Sequence, residues 1–312
     1  MLFEKLLVPL DGTAESAGAL PMARAMARAT GATFTLLRVV PTDKDEHATR
    51  HAQHDLDGIA AELTAGGLSA NTVVRTGDPA QQIVEQARAD GTDLIVMRTH
   101  GRAGLTRAVL GSVAERVLEL SPIPLLLVRR GDRYVSQVKS VLVPVDGSPG
   151  GALALGAAVG LAEASGASLR LLEVVVPIPT YIYGAYAYNG ATFVDPAWDE
   201  EARVSAQTYV DGLAARLRSG GLTVETEVCM ASSVAGAIAD IAEARGIDLI
   251  VMSTEALTGA ARAVLGSVAD AVVRAARCPV LLLRREPPRV AHEANATADP
   301  HSREPDLVAV GT

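Results

Sequence analysis

The strongest constraint on the fold of this chain is that it repeats itself. The segment LLVPLDGT at 6–13 returns as VLVPVDGS at 141–148, which places Asp11 and Asp146 146 − 11 = 135 residues apart. Later landmarks are 155 residues apart, because Gly111 recurs as Gly266. The second copy therefore carries 155 − 135 = 20 extra residues. A repeat of this length predicts two domains of one fold within the 312 residues.

Each copy alternates short apolar runs with Ala-rich stretches of helical length. In the first copy the runs lie at 5–10, 33–40, 71–76, 93–98 and 124–129, and 14–30 reads as one helix. Strands that are apolar throughout are typical of parallel sheets covered by helices on both faces. Right-handed crossovers then favour an α/β, five-stranded, doubly wound sheet in each copy. Ligands of such sheets bind at the carboxyl ends of the strands.

Composition and landmarks predict four segments and an insertion. We expect a first domain at 1–131, a linker at 132–138, a second domain at 139–285 and a disordered tail at 286–312, which is rich in Pro, Ala and charge. The extra residues fall at about 176–198, a loop with four of the six tyrosines and the only tryptophan. This loop either offers a contact surface for a ligand or partner, or packs on its own domain or the other repeat.

Charge and cysteine usage exclude several classes of function. With 28 basic and 36 acidic residues the net charge is −8, so no basic field attracts nucleic acid. No apolar run approaches the roughly 18 residues of a membrane span. Cys229 and Cys278 lie far apart without a CxxC or zinc-ligand spacing, and no signal peptide is recognisable. We therefore expect a cytoplasmic protein without a metal centre.

A Gly-rich stretch, RTHGRAGLTRAVLGS at 98–112, follows the fourth apolar run and leads into a helix. Glycines allow close backbone approach, and a helix N-terminus attracts anions such as phosphate. The second copy reads STEALTGAARAVLGS at 253–267, which keeps the final Gly-Ser and alters the front. The alternative for Gly111 and Ser112 is a helix cap, and for Asp11 and Asp146 a turn.

These motifs resemble those of universal stress proteins, here two in tandem over about 3–131 and 139–285. ATP-binding members of that family have Gly, two residues, Gly, nine residues, then Gly and Ser or Thr. Gly101, nine residues, Gly111 and Ser112 match this pattern, whereas Arg98 replaces the leading glycine. In the second copy Ser253 and Ala256 replace both leading glycines, and Glu255 adds a carboxylate. The first copy is accordingly the favoured site.

The resemblance implies bound ATP, with or without Mg²⁺. Asp11 and Asp146 would contact the adenine or ribose, the valines of the second strands the base, and the Gly-Ser pairs the phosphates. Arg98 would either reach the phosphates or lie across the pocket. The candidate binding residues are Pro9, Asp11, Val39, Met97, Arg98, Gly101, Gly111, Ser112 and Val113 in the first copy, with Asp146, Val174, Gly266, Ser267 and Val268 in the second.

The sequence favours a binding module over an enzyme. A GxxxxGK[ST] loop, an SGGxDS loop, an HxGH motif and paired carboxylates beside the Gly-rich stretch are all missing. We expect an ATP-responsive stress module; the alternatives are a scaffold with degenerate pockets and, more weakly, a slow ATPase. The resemblance also implies flavodoxin-like sheets of strand order 3-2-1-4-5, paired through the fifth strands at 124–130 and 279–285 to give a pseudo-dimer within one chain. The sequence decides neither whether two chains form a homodimer nor which protein partner binds.

Overall fold

The computed structural model describes residues 3–42, 46–99, 110–132, 135–177, 196–255 and 266–285. Strands and helices alternate through both halves of the chain. The first half contains β1 (Lys5–Pro9), α1 (Ala14–Ala17), α2 (Leu20–Thr30), β2 (Thr33–Val40), α3 (Glu46–Ala65), β3 (Ala70–Thr76), α4 (Pro79–Asp90), β4 (Leu94–Arg98), α5 (Ser112–Leu120) and β5 (Leu125–Val128). The second contains β6 (Ser140–Pro144), α6 (Pro149–Ser165), β7 (Ser168–Val175), α7 (Pro196–Ser219), β8 (Val224–Met230), α8 (Val234–Ala244), β9 (Leu249–Glu255), α9 (Ser267–Ala275) and β10 (Val280–Arg285).

All ten strands form one sheet, in the order β3-β2-β1-β4-β5-β10-β9-β6-β7-β8. Each half is a parallel sheet of the order 3-2-1-4-5, so the expected fold class is confirmed. The halves meet where β5 and β10 pair antiparallel, with Leu127 opposite Val280 and Leu125 opposite Leu282. This pairing gives each apolar fifth strand a partner on both sides, as expected for two halves joined through their fifth strands.

Local sequence explains where the first helices of the two halves begin and end. Thr13 and Ser148 cap α1 and α6 by accepting hydrogen bonds from the backbone N–H groups of Ser16 and Gly151. Gly31 and Gly166, which end α2 and α6, have φ angles of 74° and 71°. Only glycine adopts this left-handed conformation without strain, so both helices stop at the same repeat position.

The single helix expected at 14–30 is wrong, because the first half breaks it into α1 and α2. Gly18 ends α1, and the new helix starts at Leu20 with Pro21 in its first turn. Proline lacks the N–H that a continuous helix would need there. The second half has Leu153 where the first has Gly18, and α6 runs unbroken.

The core lies in two layers, because alternate residues of each strand face opposite sides of the sheet. One buried cluster packs against α2, α3, α6 and α7, and it runs through both halves of the chain. The other packs against α4, α5, α8 and α9. Val135 and Val138, from the segment expected to be a linker, are 5% and 0% exposed within the first cluster. This segment therefore contributes to the core that joins the halves.

Two arginines join the halves in a reciprocal arrangement. Arg129 follows β5, and Arg284 occupies the equivalent position in β10, 284 − 129 = 155 residues later. Each guanidinium donates to the last carbonyls of the other half's final helix. These acceptors are Arg274 O at 2.5 Å and Ala276 O at 2.8 Å for Arg129, with Leu118 O, Glu119 O and Ser121 O at 3.1–3.2 Å for Arg284. A cation there satisfies orphan carbonyls and offsets the negative end of the helix dipole.

Parts of the sequence predictions lie outside the described residues. The expected tail at 286–312 is one, and residues 178–195 of the expected insertion are another. Residues 196–198, the end of that insertion, open α7 instead of completing a loop. The proposed domain boundaries remain a prediction. Within the described ranges, no helix is long and apolar enough to cross a membrane.

Candidate functional site

A cavity of about 380 Å³ opens at the carboxyl edge of the second half, between the ends of β6, β7 and β9 and the starts of α6 and α9. Five of the second-copy residues expected to bind nucleotide line this one space: Asp146, Val174, Gly266, Ser267 and Val268. Residues up to 268 − 146 = 122 positions apart in sequence meet here because parallel strands end at the same edge.

Asp146 lies at one end of the cavity, directly after β6. Its Oδ1 accepts a hydrogen bond from Ser148 N at 3.0 Å, and Gly147 takes a positive φ of 73°. The carboxylate thus organises the turn, as the alternative interpretation held, and it also borders the cavity. It is exposed, so its remaining acceptor positions can receive donors from a ligand.

The N-terminus of α9 borders the cavity through Gly266, Ser267 and Val268. Gly266 is the N-cap, and no side chain caps the helix there. The backbone N–H groups of the first turn therefore lack intrahelical partners, and the helix dipole adds a partial positive charge. This end of the cavity suits an anionic group.

An apolar wall completes the cavity. Leu172 and Val174 come from β7, Ile238 from α8 and Met252 from β9. Leu172, Ile238 and Met252 are at most 6% exposed and belong to the same core cluster. A flat, mostly apolar group can be buried against such a wall, while Asp146 and α9 supply polar contacts at the rim.

Small residues keep the centre of the cavity open. Ser253 lies in β9, and its hydroxyl is close to Gly150 in the first turn of α6. A Cβ atom at Gly150 would lie 2.6 Å from the Ser253 hydroxyl, and one at Gly151 would lie 3.0 Å from Asp146 Oδ1. Glycine at both positions lets α6 approach the strand ends closely.

Acidic groups surround the Asp146 turn. Burial and the neighbouring Asp146 raise the pKa of Glu173, whose Oε2 has no hydrogen-bond donor within the described ranges. Burial also raises the pKa of Tyr209, with Glu173 and Asp146 adding to the effect and a backbone hydrogen bond with Gly147 opposing it. In the first half the position of Glu173 is Arg38, which pairs with Asp55 at 3.4 Å. The two halves therefore carry opposite charges beside the same turn.

The first half places most of its expected site residues at the matching edge. Pro9 ends β1, and Asp11 Oδ1 accepts hydrogen bonds from the backbone and hydroxyl of Thr13 at 2.9 and 2.7 Å. Val39, Met97 and Val113 pack on the α4–α5 side of the sheet. Gly111 is the N-cap of α5, which begins at Ser112. Gly101 lies outside the described residues.

Arg98 is directed towards α1. Its Nη1 donates to the backbone oxygen of Glu15 at 3.1 Å. A Cβ atom at Gly18 would lie 1.6 Å from the same nitrogen, so the guanidinium occupies space that only glycine leaves free. Ser253 holds the equivalent position in the second half and lines the cavity there. The two halves therefore differ at this strand end: an arginine side chain lies against α1 in the first, and a serine borders the cavity in the second.

Several cavity residues were missed by sequence reasoning. Pro144, Met252 and Ser253 could have been found, because they are the repeat partners of Pro9, Met97 and Arg98. Gly150 and Gly151 replace Glu15 and Ser16, so no shared motif marks them. Ile238 belongs to a helix whose approach to the strand ends is set only by packing.

Comparison with known proteins agrees with this geometry. The chain is 32% identical over 148 residues to the universal stress protein YxiE of Bacillus subtilis, covering 41% of this chain and all of that protein. A universal stress protein of Mycolicibacterium smegmatis is 24% identical over 298 residues, which cover 89% of this chain and 96% of the relative. The second match spans both halves of the chain.

Solved structures support the same fold. A universal stress protein from Archaeoglobus fulgidus superposes with a TM-score of 0.68 at 21% identity, covering 90% of this chain and 98% of that one. The functionally unknown protein PA1789 from Pseudomonas aeruginosa superposes with a TM-score of 0.67 at 20% identity, covering 90% of this chain and 92% of that one. The model of the universal stress protein family matches residues 2–129 and again 137–284. With both copies matched, the chain belongs to the universal stress protein family, as a tandem of two such units.

Proposed function

We propose that this protein binds an adenine nucleotide, with ATP the first candidate, in the cavity of its second half. The observation that carries the proposal is that Asp146, an apolar wall and the uncapped N-terminus of α9 line one space. Its volume of about 380 Å³ is within the range of small-molecule sites, roughly 300–1,000 Å³. The purine would lie against Val174 and Met252, the ribose near Asp146, and the phosphates at Gly266 and Ser267.

The sequence favoured the first half, and the geometry moves the preference to the second. Arg98 occupies the place of Ser253 and hydrogen-bonds to α1. Among the described residues, the hydrogen bond of the Arg98 side chain goes to Glu15 O. We therefore propose one nucleotide per chain as the main stoichiometry, and the first-half site remains a prediction.

The proposed role is that of a nucleotide-responsive stress or regulatory module in the cytoplasm. Among the described residues no group of three or more His, Cys, Asp or Glu side chains could hold a metal ion. Mg²⁺ would therefore enter, if at all, on the phosphates of the nucleotide. Slow ATP hydrolysis remains the weaker alternative, and phosphate release from the purified protein measures it directly.

The test is calorimetric titration of the intact chain with ATP and with adenosine, with and without Mg²⁺. We expect one ATP per chain, and weaker binding of adenosine because it makes no contact with the α9 N-terminus. The double variant Gly266→Ala with Ser267→Ala should lower the affinity for ATP at least tenfold. Gly156→Ala is the matched control, because a Cβ atom meets nothing within 4 Å at either glycine but Gly156 lies outside the cavity. Absence of ATP binding at millimolar concentration would refute the proposal.

A second candidate, an interaction protein, has one observation in its favour. Among the described residues, six of the seven exposed large apolar side chains belong to the second half: Val176, Trp198, Val204, Tyr209, Met230 and Val268. A contiguous apolar patch is a feature of partner-binding surfaces, and these residues are the candidates for one. Retention of a partner by the Gly266→Ala, Ser267→Ala variant, with ATP binding lost, would support this candidate.

A further inference from the structure

A second cavity, of about 220 Å³, lies at the junction of the two halves. It is enclosed by the start of α2, the ends of β4 and β5, the segment that follows β5, and Pro279 before β10. We name it the junction cavity. None of its lining residues borders the cavity proposed for the nucleotide.

Three charged side chains border the junction cavity: Arg98, Arg129 and Asp132. Arg129 Nη1 already donates to Arg274 O and Ala276 O across the junction, so the pair considered for a ligand is Arg98 and Asp132. Arg98 supplies a guanidinium whose hydrogen bond to Glu15 O uses one of its five N–H groups. Asp132 supplies a carboxylate whose Oδ2 accepts a hydrogen bond from Arg129 N at 2.6 Å. Within the described part of the chain no ion pair of 4.0 Å or less joins Arg98 to Asp132. Each group therefore keeps capacity for a ligand that fits between them.

The surroundings of Asp132 disfavour the ionised form of its carboxyl group. Burial raises the pKa of its carboxyl to about 6, although Arg129 and Arg98 act in the opposite direction. A cationic group brought within hydrogen-bond distance would relieve this cost, because an opposite charge favours the ionised carboxylate.

Apart from Arg98, Arg129, Asp132 and the backbone at Gly18, the walls are apolar. Met22, Val128 and Val135 are 2%, 6% and 5% exposed, and Pro21 and Pro279 complete the lining. Arginine recognises carboxylates through paired N–H groups, and a carboxylate recognises an ammonium group. The small volume admits only a compact ligand with an aliphatic body.

We propose that the junction cavity binds a free α-amino acid with a small aliphatic side chain. Arg98 holds the carboxylate, Asp132 accepts hydrogen bonds from the ammonium group, and Met22, Val128 and Val135 contact the side chain. The ligand would touch β4 and β5 of the first half and Pro279 of the second, so its binding stabilises the junction.

The second half cannot build the same site. Leu153 stands in place of Gly18, Ser253 replaces Arg98, and α6 is continuous where α1 and α2 are separated. The cavity therefore depends on the break in the first helix, which creates the space, and on the arginine that enters it. One amino acid per chain is expected.

The test is titration of the full chain with L-valine at pH 7.5, followed by calorimetry. Isovalerate, which lacks the ammonium group, and isobutylamine, which lacks the carboxylate, should each bind at least tenfold more weakly than L-valine. At pH 5 about a tenth of Asp132 is ionised for a pKa of about 6, so L-valine binding should fall about tenfold.

Variants locate the binding. Arg98→Gln and Asp132→Asn should each lower the affinity for L-valine at least tenfold. Arg130 is an exposed neighbour, so Arg130→Gln should leave that affinity unchanged. Arg98→Lys, which keeps the charge, provides a second measurement if Arg98→Gln fails to fold. ATP binding by Asp132→Asn should match that of the unchanged protein, which separates this proposal from the nucleotide site.

Three results would overturn the proposal. The first is no binding of L-valine, L-leucine or L-isoleucine at millimolar concentration. The second is isovalerate binding as tightly as L-valine, because Asp132 would then contact no ligand. The third is L-valine binding that survives both Arg98→Gln and Asp132→Asn, because the amino acid would then bind elsewhere.

Discussion

Replacing Ser253 by arginine should close the proposed nucleotide cavity. In the first half Arg98 escapes from the matching position because Gly18 leaves space beside α1, where even a Cβ atom would lie 1.6 Å from Nη1. In the second half Leu153 occupies the equivalent position and packs against the core. Gly150 lies so close that its Cβ would be 2.6 Å from the Ser253 hydroxyl. An arginine at 253 must therefore project into the cavity of about 380 Å³.

The expected effect is loss of ATP affinity by at least tenfold, or about 1.4 kcal/mol of binding free energy. Where the new side chain also presses on α6, overpacking should lower the free energy of unfolding by about 1–3 kcal/mol. Calorimetric titration with ATP measures the first quantity, and urea denaturation measures the second. Ser253→Ala is the control, because it keeps the space and should bind ATP within about threefold of the unchanged protein, given the modest net value of one hydroxyl hydrogen bond.

Tighter ATP binding by Ser253→Arg would contradict this reasoning. It would show that a guanidinium at the strand end reaches the phosphates instead of filling the cavity. The same result would restore the first half as a candidate site, because Arg98 stands at the matching position.

Three further predictions concern the junction of the halves. Arg284→Gln should lower the free energy of unfolding, measured by urea denaturation, by about 2 kcal/mol, because a charged donor to the α5 carbonyls is lost. The control Arg277→Gln removes an exposed ion pair and should lower it by under about 0.5 kcal/mol. The raised pKa of Asp132 makes its ionised form costly, so stability should fall as the pH rises from 3.8 through about 6. Asp132→Asn should remove that fall. Its free energy of unfolding should exceed that of the unchanged protein by about 1–2 kcal/mol at pH 7 but not at pH 3.5. Equal slopes of the free energy of unfolding against pH for the two proteins, from pH 3.5 to 7, would refute this. Gly18→Ala should displace Arg98 from Glu15 and abolish L-valine binding, and unaltered binding would exclude Arg98 as the carboxylate ligand.

The repeat made most of the fold predictable. Strands of four to eight residues, helix caps at Thr13 and Ser148, and glycines at 31 and 166 have local signals, and each of these elements is present. The break between α1 and α2 was not predicted from the helical composition of 14–30, although Gly18 and Pro21 mark it locally. Only the tertiary structure showed that Arg98, 80 residues from Gly18, lies against this break.

The sequence predicted which residues of the second half lie together, but not how the two halves differ at the end of the fourth strand. Motif positions identified Asp146, Val174, Gly266, Ser267 and Val268, which the tertiary structure brings to one cavity. The same motifs favoured the first half, because Gly101 survives only there. A motif records which backbone positions are glycine, but it does not record where a neighbouring long side chain is directed.

The sequence by itself determined the two-fold repetition, the alternation of strands and helices, and the edge of the sheet at which a ligand is expected. These follow from apolar periodicity and short-range motifs, which act over a few residues, whereas the strand order came from the family resemblance. Only the tertiary structure decided that Arg98 lies against α1, that Arg129 and Arg284 hold opposite helix ends, and that a charged cavity forms between the halves. Those features depend on contacts between residues about 80 to 165 positions apart, whose directions are set by packing.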